Sequence, residues 1–505
     1  MNDRISIRDG YGIRDGYGIR DGYGSYIDGQ WRPASDGATL ESHDPAMTER
    51  LAIIADATRQ DVDAAVSAAR TAFGAWSRSS VAERSGTPLA IADLIEANLD
   101  HPARVEPLDN GEPIRETSGA DLPLSVDHFR CFAGCMRADE GSATMLDTGA
   151  LNIILCEPLG LVGRIVPWNP LPHGGLEARP GAGRRQHRRL QALQRRLAVG
   201  ARADPAHRRG GPPARRRARR HQRFGRPFRR VPQDRRRRRA RLHRAHRGRP
   251  RHRSGRGAED HPGHPGAGGK SANIFFDDDP DRAVDGVQMG VLFNQGQVCS
   301  AGSRILVRAS GPDRFVEVLG AAFSAVRVGD PLDPATQIQM RARINEKRLA
   351  KILVYVETGR SEGAEIVTGG SRYGSGPLAR GAFMKSTLVL GRNDMRVARE
   401  EIFGPAGVIT PFEDEVIAMA DDSDHGLGGG VFSSDLNRAL RVATRARTGR
   451  WVNQCNAFPA GAPFGGCKDS GIGRETRTMI LDAYQQTKNI LVNLGSGPVG
   501  LPYGD

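Results

Sequence analysis

The chain has 505 residues, 38% of them hydrophobic, and a net charge of +15. At roughly 150 residues per domain this length fits two or three domains with a large core. No apolar run is long enough to cross a membrane, no signal peptide is expected, and the six cysteines (Cys131, Cys135, Cys156, Cys299, Cys455 and Cys467) form no Cys-x-x-Cys pair and no zinc-type spacing with histidine, so a reduced, cytoplasmic chain without a metal site is expected.

The charge is uneven. Residues 174–267 hold 31 Arg, no Lys and 5 acidic residues, a local +26 that, against the total of +15, leaves −11 for the rest.

Residues 7–24 are three copies of Ile-Arg-Asp-Gly-Tyr-Gly. So short a Gly-rich repeat cannot bury a core, and 1–24 is expected to be a disordered tail. Order is expected from Tyr26, where 26–31 reads as strand–turn–strand around Asp28-Gly29. Segment 58–76 predicts an amphipathic helix. Thr58 can cap it, and Val62, Ala65, Val66, Ala69, Phe73 and Trp76 recur at helical spacing. A second helix is expected over 88–99 with Leu89, Ala92, Leu94 and Ile95 inward, then a turn at 108–113. These elements read as scaffold.

Segment 161–166, Leu-Val-Gly-Arg-Ile-Val, predicts a buried, parallel-type strand. It ends at Pro167-Trp168-Asn169, and strand ends in open α/β sheets are where ligands bind. The Asn169 amide can donate to a developing oxyanion, or cap a turn.

From His173 the composition changes. Residues 174–267 contain no Ile, Lys, Tyr, Met, Thr, Asn, Trp or Cys, and Arg235 to Arg239 is an unbroken run. Neither helical nor strand periodicity is visible, and apolar surface is too scarce to offset the entropy of ordering, so the block is expected to be disordered or weakly packed. It reads as a polyanion-binding arm, a flexible linker or an out-of-frame copy of an ordinary domain.

Beyond it, 268–276 is strand-like, Asp277 to Pro280 caps a following helix, and 282–293 is a helix that delivers Cys299. Gly268-Gly269-Lys270-Ser271 is not a P-loop, because His264 stands where the required glycine would be. Around Cys299, the small residues Gly296, Ser300, Ala301 and Gly302 read as room for a carbonyl to approach, and Ile305 to Val307 reads as a buried strand. A free cysteine by itself is more often a buried structural thiol. Helices are expected over 315–328 and 347–359, and a strand over 482–494.

Four motifs change that balance. They are Glu157-Pro-Leu-Gly160 followed by Pro167-Trp168-Asn169, the stretch 294–304 around Cys299, Glu401-Ile-Phe-Gly-Pro405, and Pro463-Phe-Gly-Gly466 with Lys468, Ser470, Gly471, Gly473, Arg474 and Glu475. Together they resemble the aldehyde dehydrogenase superfamily over about 26–169 and 268–492. The resemblance implies an α/β fold: a Rossmann-type dinucleotide-binding domain (25–137 and 160–270, its central part disrupted by 174–267), an α/β catalytic domain (271–452) and a small β oligomerisation arm (138–159 and 476–496). It implies Cys299 as nucleophile, and Asn169 with the Cys299 backbone N–H around the oxyanion. Glu401 would hold the nicotinamide ribose hydroxyls, with Phe403 beside the ring and Trp168 on the cofactor side. NAD or NADP is the implied cofactor and a small-molecule aldehyde the implied substrate. A homodimer or homotetramer is implied, with the 482–494 strand pairing with another subunit. No membrane or nucleic-acid partner is expected. One departure is local: the family has a glycine soon after the Arg-Glu pair, and Thr476-Arg477 follows here.

The resemblance also gives the arginine block a meaning. If the last two bases of each codon are joined to the first base of the next, permitted codons turn 176–194 into WKLAPALAAGNTVVFKPSS and 259–267 into KTIQVTLEL, and 242–244 permits FTG. The first of these holds the family's KPS segment at the adenosine ribose. FTG opens the helix beside the pyrophosphate, and the glutamate of LEL activates the hydrolytic water. Two compensating frameshifts, one between Asn169 and His173 and one near Gly268, would produce the written block. As written, the glutamate's position is Gly266, which has no side chain to act as a base. The reading is an aldehyde oxidation, impaired as written; the rivals are polyanion binding through the block and an inactive subunit.

Overall fold

The computed structural model describes residues 22–165, 188–191, 218–220, 239–243, 263–266, 268–276, 280–309, 312–329, 338–471 and 473–495. Asn169 and Trp168 lie outside the described residues, as do 1–21 of the repeat.

Residues 22–24, expected in a disordered tail, lie in the fold. Gly22–Tyr23 is a strand parallel to Arg50–Ala55, and Tyr23 is buried. Its ring lies edge-on to Trp31 at 6.2 Å and joins a core with Ile54, Val105 and Leu108. The last repeat tyrosine thus has an apolar site to fill, which periodicity could not reveal. The hairpin Ser25–Ile27 with Gln30–Arg32 follows, its turn made by Asp28 and Gly29 at φ 55° and 80°.

Helix α1 (Arg59–Trp76) starts at Thr58, which forms a reciprocal capping box with Asp61 and buries Val62, Ala65, Val66 and Ala69. Helix α2 (Val81–Glu96) starts well before its expected position, capped by Ser80 and Glu83. Pro88 lies inside it and is buried, while Leu89, expected inward, is exposed. Ala92 is buried and Ile95 packs beside it as expected, so reading the proline as a start shifted the helix N-terminus and misplaced Leu89. Helix α3 (Asp100–Asn110) ends at Gly111 in the left-handed conformation, φ 92°, so the expected turn is a helix C-cap. Helix α4 (Leu122–Arg137) packs on α2 through Phe129 and Val126 against Ala92.

Two parallel-type sheets dominate. The first contains β1 (Val162–Ile165), β2 (Arg188–Gln191), β3 (Ala218–Arg220), β4 (Arg239–His243) and β5 (Gly263–Gly266), in the order β3-β2-β1-β4-β5, every pair parallel. The order reverses at β1, the doubly wound pattern whose switch point forms a ligand crevice. Four of these strands lie in the block where no strand was expected, and the expected disruption is absent from their backbone pairing. Ladder hydrogen bonds use groups that every non-proline residue carries, so pairing needs no side-chain alternation. Pro265, which has no N–H to give, falls on edge strand β5.

The second sheet contains β6 (Ala272–Phe275), β7 (Arg304–Arg308), β8 (Glu365–Thr368), β9 (Thr387–Leu390), β10 (Ala406–Phe412), β11 (Gly430–Phe432) and β12 (Trp451–Val452). Its order is β8-β9-β10-β7-β6-β11-β12, and only the β8–β9 pair is antiparallel. Helices α5 (Pro280–Leu292), α6 (Pro312–Ser324) and α7 (Glu346–Ser361) cover it. Phe275, Val287, Val291, Ile305, Leu319 and Phe323 share one fully buried cluster. Each side chain of this kind stabilises by about 1.5–3 kcal/mol relative to exposure.

The third sheet is antiparallel: Ser142–Met145, Ala150–Pro158 and Gln485–Asn493. The expected C-terminal strand pairs with its own chain along one side, and its Ile490 and Leu491 are exposed. No helix among the described residues is long and apolar enough to cross a membrane, and no group of three or more His, Cys, Asp or Glu residues among them could hold a metal.

Candidate active site

Cys299 sits on the loop that joins α5 to the central strand β7. After α5 the chain makes a short 3-10 turn, Phe293–Gly296, in which Asn294 (φ 43°, ψ 44°) and Gln295 (φ 52°, ψ 32°) are both left-handed. For residues with a Cβ this costs roughly 1–2 kcal/mol each and persists only where the surroundings impose it. Four contacts impose it. The Asn294 N–H donates to Glu116 Oε2 at 2.7 Å, the Gln295 amide donates to the Gly111 carbonyl, the Gln297 N–H donates to the Asn294 carbonyl at 2.8 Å, and the Ile344 N–H donates to Gln297 Oε1 at 3.2 Å.

Two glycines of this loop serve packing. At Gly296 (φ 69°) a Cβ would lie 2.2 Å from the Gly404 carbonyl oxygen, and at Gly302 it would lie 2.2 Å from the Asn273 amide nitrogen. Ser300 donates to Asn456 Oδ1 at 2.8 Å. The glycines thus draw the cysteine loop against the 401–405 loop and against β6.

Cys299 is half-buried. Burial pushes its thiol well above the ordinary value and the carboxylates of Glu401 and Glu475 add to this, while the Cys299 and Ser300 backbone N–H groups oppose it. Two N–H groups therefore already favour negative charge at this point.

Glu401 lies on the other side of Gly268-Gly269. Its Oε1 accepts the Gly269 N–H at 3.2 Å, and a Cβ on Gly268 would overlap that carboxylate. A Cβ on Gly269 would lie 3.0 Å from the Cys299 carbonyl oxygen. The diglycine is thus the thin wall between Glu401 and the cysteine. Burial raises the Glu401 carboxyl, opposed by Arg348 and Lys351. Phe403 has φ 59°, and the Arg348 guanidinium stands 4.8 Å from its ring centroid.

Three groups near the cysteine were not singled out from sequence. Glu475 is buried, and its backbone pairs with Phe464; it lies inside the quoted C-terminal motif, so the motif was the available signal. Lys270 is 1% exposed and its Nζ has no hydrogen-bond partner; burial drives the amine down to about 7, Arg304 adds to this and Glu401 opposes it. Glu116 is buried and touches the loop, and nothing local in the sequence marks it. The departure at Thr476-Arg477 is also explained. Both are left-handed in φ, 61° and 47°, and Arg477 has ψ −170°, a region that only glycine enters freely.

A doubly wound sheet beside a second parallel sheet that presents a cysteine from its central strands defines a two-sheet α/β protein with a candidate thiol centre. The chain belongs to the aldehyde dehydrogenase family: that family's model matches residues 31–172 and 264–490. It is 40% identical to acetaldehyde dehydrogenase 2 of Cupriavidus necator, over 94% of this chain and 96% of that one. It is 39% identical to an aldehyde dehydrogenase of Deinococcus radiodurans, over 94% of each. The betaine aldehyde dehydrogenase of Staphylococcus aureus in complex with NAD+ superposes with a TM-score of 0.90 at 30% identity, covering 96% of this chain and 97% of that one. The NAD+ complex of an aldehyde dehydrogenase from Bacillus cereus superposes with a TM-score of 0.89 at 30% identity, covering 94% and 97%.

Proposed function

We propose that this chain oxidises a small aldehyde to a carboxylic acid through a thiohemiacetal and a thioester on Cys299, and that the written residues 174–267 impair it. The observation that carries the reading is the placement of Cys299 on a tightly held loop, with backbone N–H groups at its sulfur and Glu401 across the diglycine. In this reading Asn169 and the Cys299 N–H hold the oxyanion. Because Cys299 rests as a neutral thiol, it needs a base before it attacks.

Bound NAD or NADP would supply the hydride acceptor. Glu401 and Phe403, with Trp168, are the residues proposed for its nicotinamide end, and the Glu401 carboxylate beside Gly269 fits two ribose hydroxyls. The written residues at the adenosine and pyrophosphate end do not fit. Where the alternative frame has VVFK followed by PS, β2 reads Arg-Arg-Leu-Gln. Where it has VTLE, β5 reads Gly-His-Pro-Gly and ends at Gly266.

Two observations support the frameshift. The family match breaks off at 172 and resumes at 264, the edges of the arginine block. Strands β2 and β5 also fall where the alternative frame is apolar and strand-like, so the spacing of the chain suits the fold even where its residues do not. The domains follow the earlier division: cofactor domain 25–137 and 160–270, catalytic domain 271–452, and an arm from 138–159 and 476–496. The strand Gln485–Asn493 is proposed to pair with a second subunit. The local charge of +26 favours a second reading, polyanion binding, which predicts affinity for nucleic acid that falls steeply with salt.

An activated aryl ester tests the thiol chemistry, since acylating a thiolate needs no cofactor. The chain should release about one equivalent of phenolate in a burst and then turn over slowly for want of a base. Cys299→Ala should reduce the burst to background. An unchanged burst in that variant would remove Cys299 as the nucleophile.

A further inference from the structure

We propose that Glu116 is the positioning residue of the Cys299 loop, acting by accepting the backbone N–H of Asn294 where the chain turns left-handed. The inference rests on the reading of Cys299 as the nucleophile.

Glu116 closes the one-turn helix Ile114–Glu116, just beyond the Gly111 cap of α3. It is 6% exposed and Asn294 is fully buried, so the 2.7 Å bond between them is shielded from water. A buried N–H deprived of its acceptor is expensive, because water cannot take over. Of the four contacts that hold the turn, this one alone comes from an ionisable side chain, and it meets the backbone of the first left-handed residue directly. Cys299 follows five residues later, and the Gln297 N–H bond to the Asn294 carbonyl carries the geometry onward. Releasing Asn294 would therefore free the turn that keeps the sulfur half-buried beneath its N–H groups.

The charge around Glu116 is consistent with a carboxylate kept for its acceptor. Burial raises it to about 7, while the Asn294 N–H and Arg115, 3.3 Å away, oppose that rise. On the far side lies Glu112, also fully buried, which in turn faces Asp121 and Glu106. A full negative charge is poorly supported here, whereas an oxygen acceptor is well used. Glutamine, which keeps the oxygen without the charge, should therefore serve.

The test is alkylation by iodoacetamide in the full chain, resolved by site with mass spectrometry, with exposed Cys156 on the arm as internal reference. E116A should speed alkylation of Cys299 relative to Cys156 by about five-fold or more, the rate equivalent of about one hydrogen bond. E116Q should stay within about two-fold of the parent, as rescue by the retained acceptor requires. If E116A does not fold, E116D, which withdraws the acceptor by one methylene, should give an acceleration of about two-fold or more. An unchanged Cys299 rate in E116A, or in E116D where that variant replaces it, or equal acceleration in E116A and E116Q, overturns the proposal. Aryl-ester acylation that survives full alkylation of Cys299 defeats the nucleophile reading instead and leaves the Glu116 result standing.

Discussion

Strands β6 and β7 and strands β2 and β4 repeat one backbone pattern in different materials. In the second sheet, β6 reads Ala-Asn-Ile-Phe and β7 Arg-Ile-Leu-Val-Arg, with Ile274, Phe275, Ile305 and Leu306 at 0% exposure. In the first sheet, β2 reads Arg-Arg-Leu-Gln and β4 Arg-Ala-Arg-Leu-His, in the same parallel sense. Backbone pairing draws on groups that every residue but proline carries in full, and both sheets keep it, with Pro265 on edge strand β5 and Pro411 within β10. A core follows only from apolar side chains. The two sheets differ in this: the strands beside Cys299 join backbone pairing to a buried apolar cluster, and the paired strands of the block are built largely of arginine.

That difference can be broken most sharply by amide hydrogen exchange. Amides of β6 and β7 should exchange at least about a thousandfold more slowly than those of β2 and β4, since local opening costs little where few apolar contacts oppose it. Equal protection in both sheets would show that the arginine-rich strands stand on a core as firm as the other.

A smaller effect concerns a buried amine beside the second sheet. Lys270 brings a buried amine into an apolar strand region, with its pKa near 7 in the folded chain against about 10.4 unfolded. Between those values the unfolded chain binds more protons, so this group makes stability rise with pH from about 7 to 10; below pH 7 the amine is charged in both states and the cost of burying it is fully present. Lys270→Met should raise the unfolding midpoint at pH 7 by about 2–4 °C and flatten that rise. An identical pH slope in parent and variant would refute the assignment.

The smallest effect concerns the departure from the family after Glu475. Arg477 is exposed and held at φ 47°, ψ −170°, so Arg477→Gly should relieve strain and stabilise by about 1 kcal/mol in denaturant unfolding. A destabilised variant would mean that the arginine side chain holds something worth more than the strain.

The legible parts of the fold were those with local causes. The hairpin at Asp28-Gly29, the capped helix α1 and strand β7 follow from nearest-neighbour chemistry. Helix α2 was misplaced because a proline that suits a first turn lies mid-helix, where buried packing outweighs the lost bond. At the candidate site, motifs singled out Cys299 and Glu401. The bond from Asn294 to Glu116 was not, because it joins residues 178 apart in the chain. At Gly296 and Gly302 a packing role could not be read from sequence, because their neighbours, Gly404 and Asn273, come from distant segments. The short strands of the block were invisible because their side chains carry no strand signal.

The central claim is that the written block weakens dinucleotide binding by a chain otherwise built to oxidise aldehydes. It is tested most directly by titrating NAD and NADP into two full-length proteins, one as written and one with 174–267 restored to the alternative frame. The restored chain should bind one of them with a dissociation constant in the range of about 1 μM to 1 mM, and the written chain at least about a hundredfold more weakly. Equal affinity in the two proteins would contradict the account, removing both the frameshift and the roles given to the missing segments.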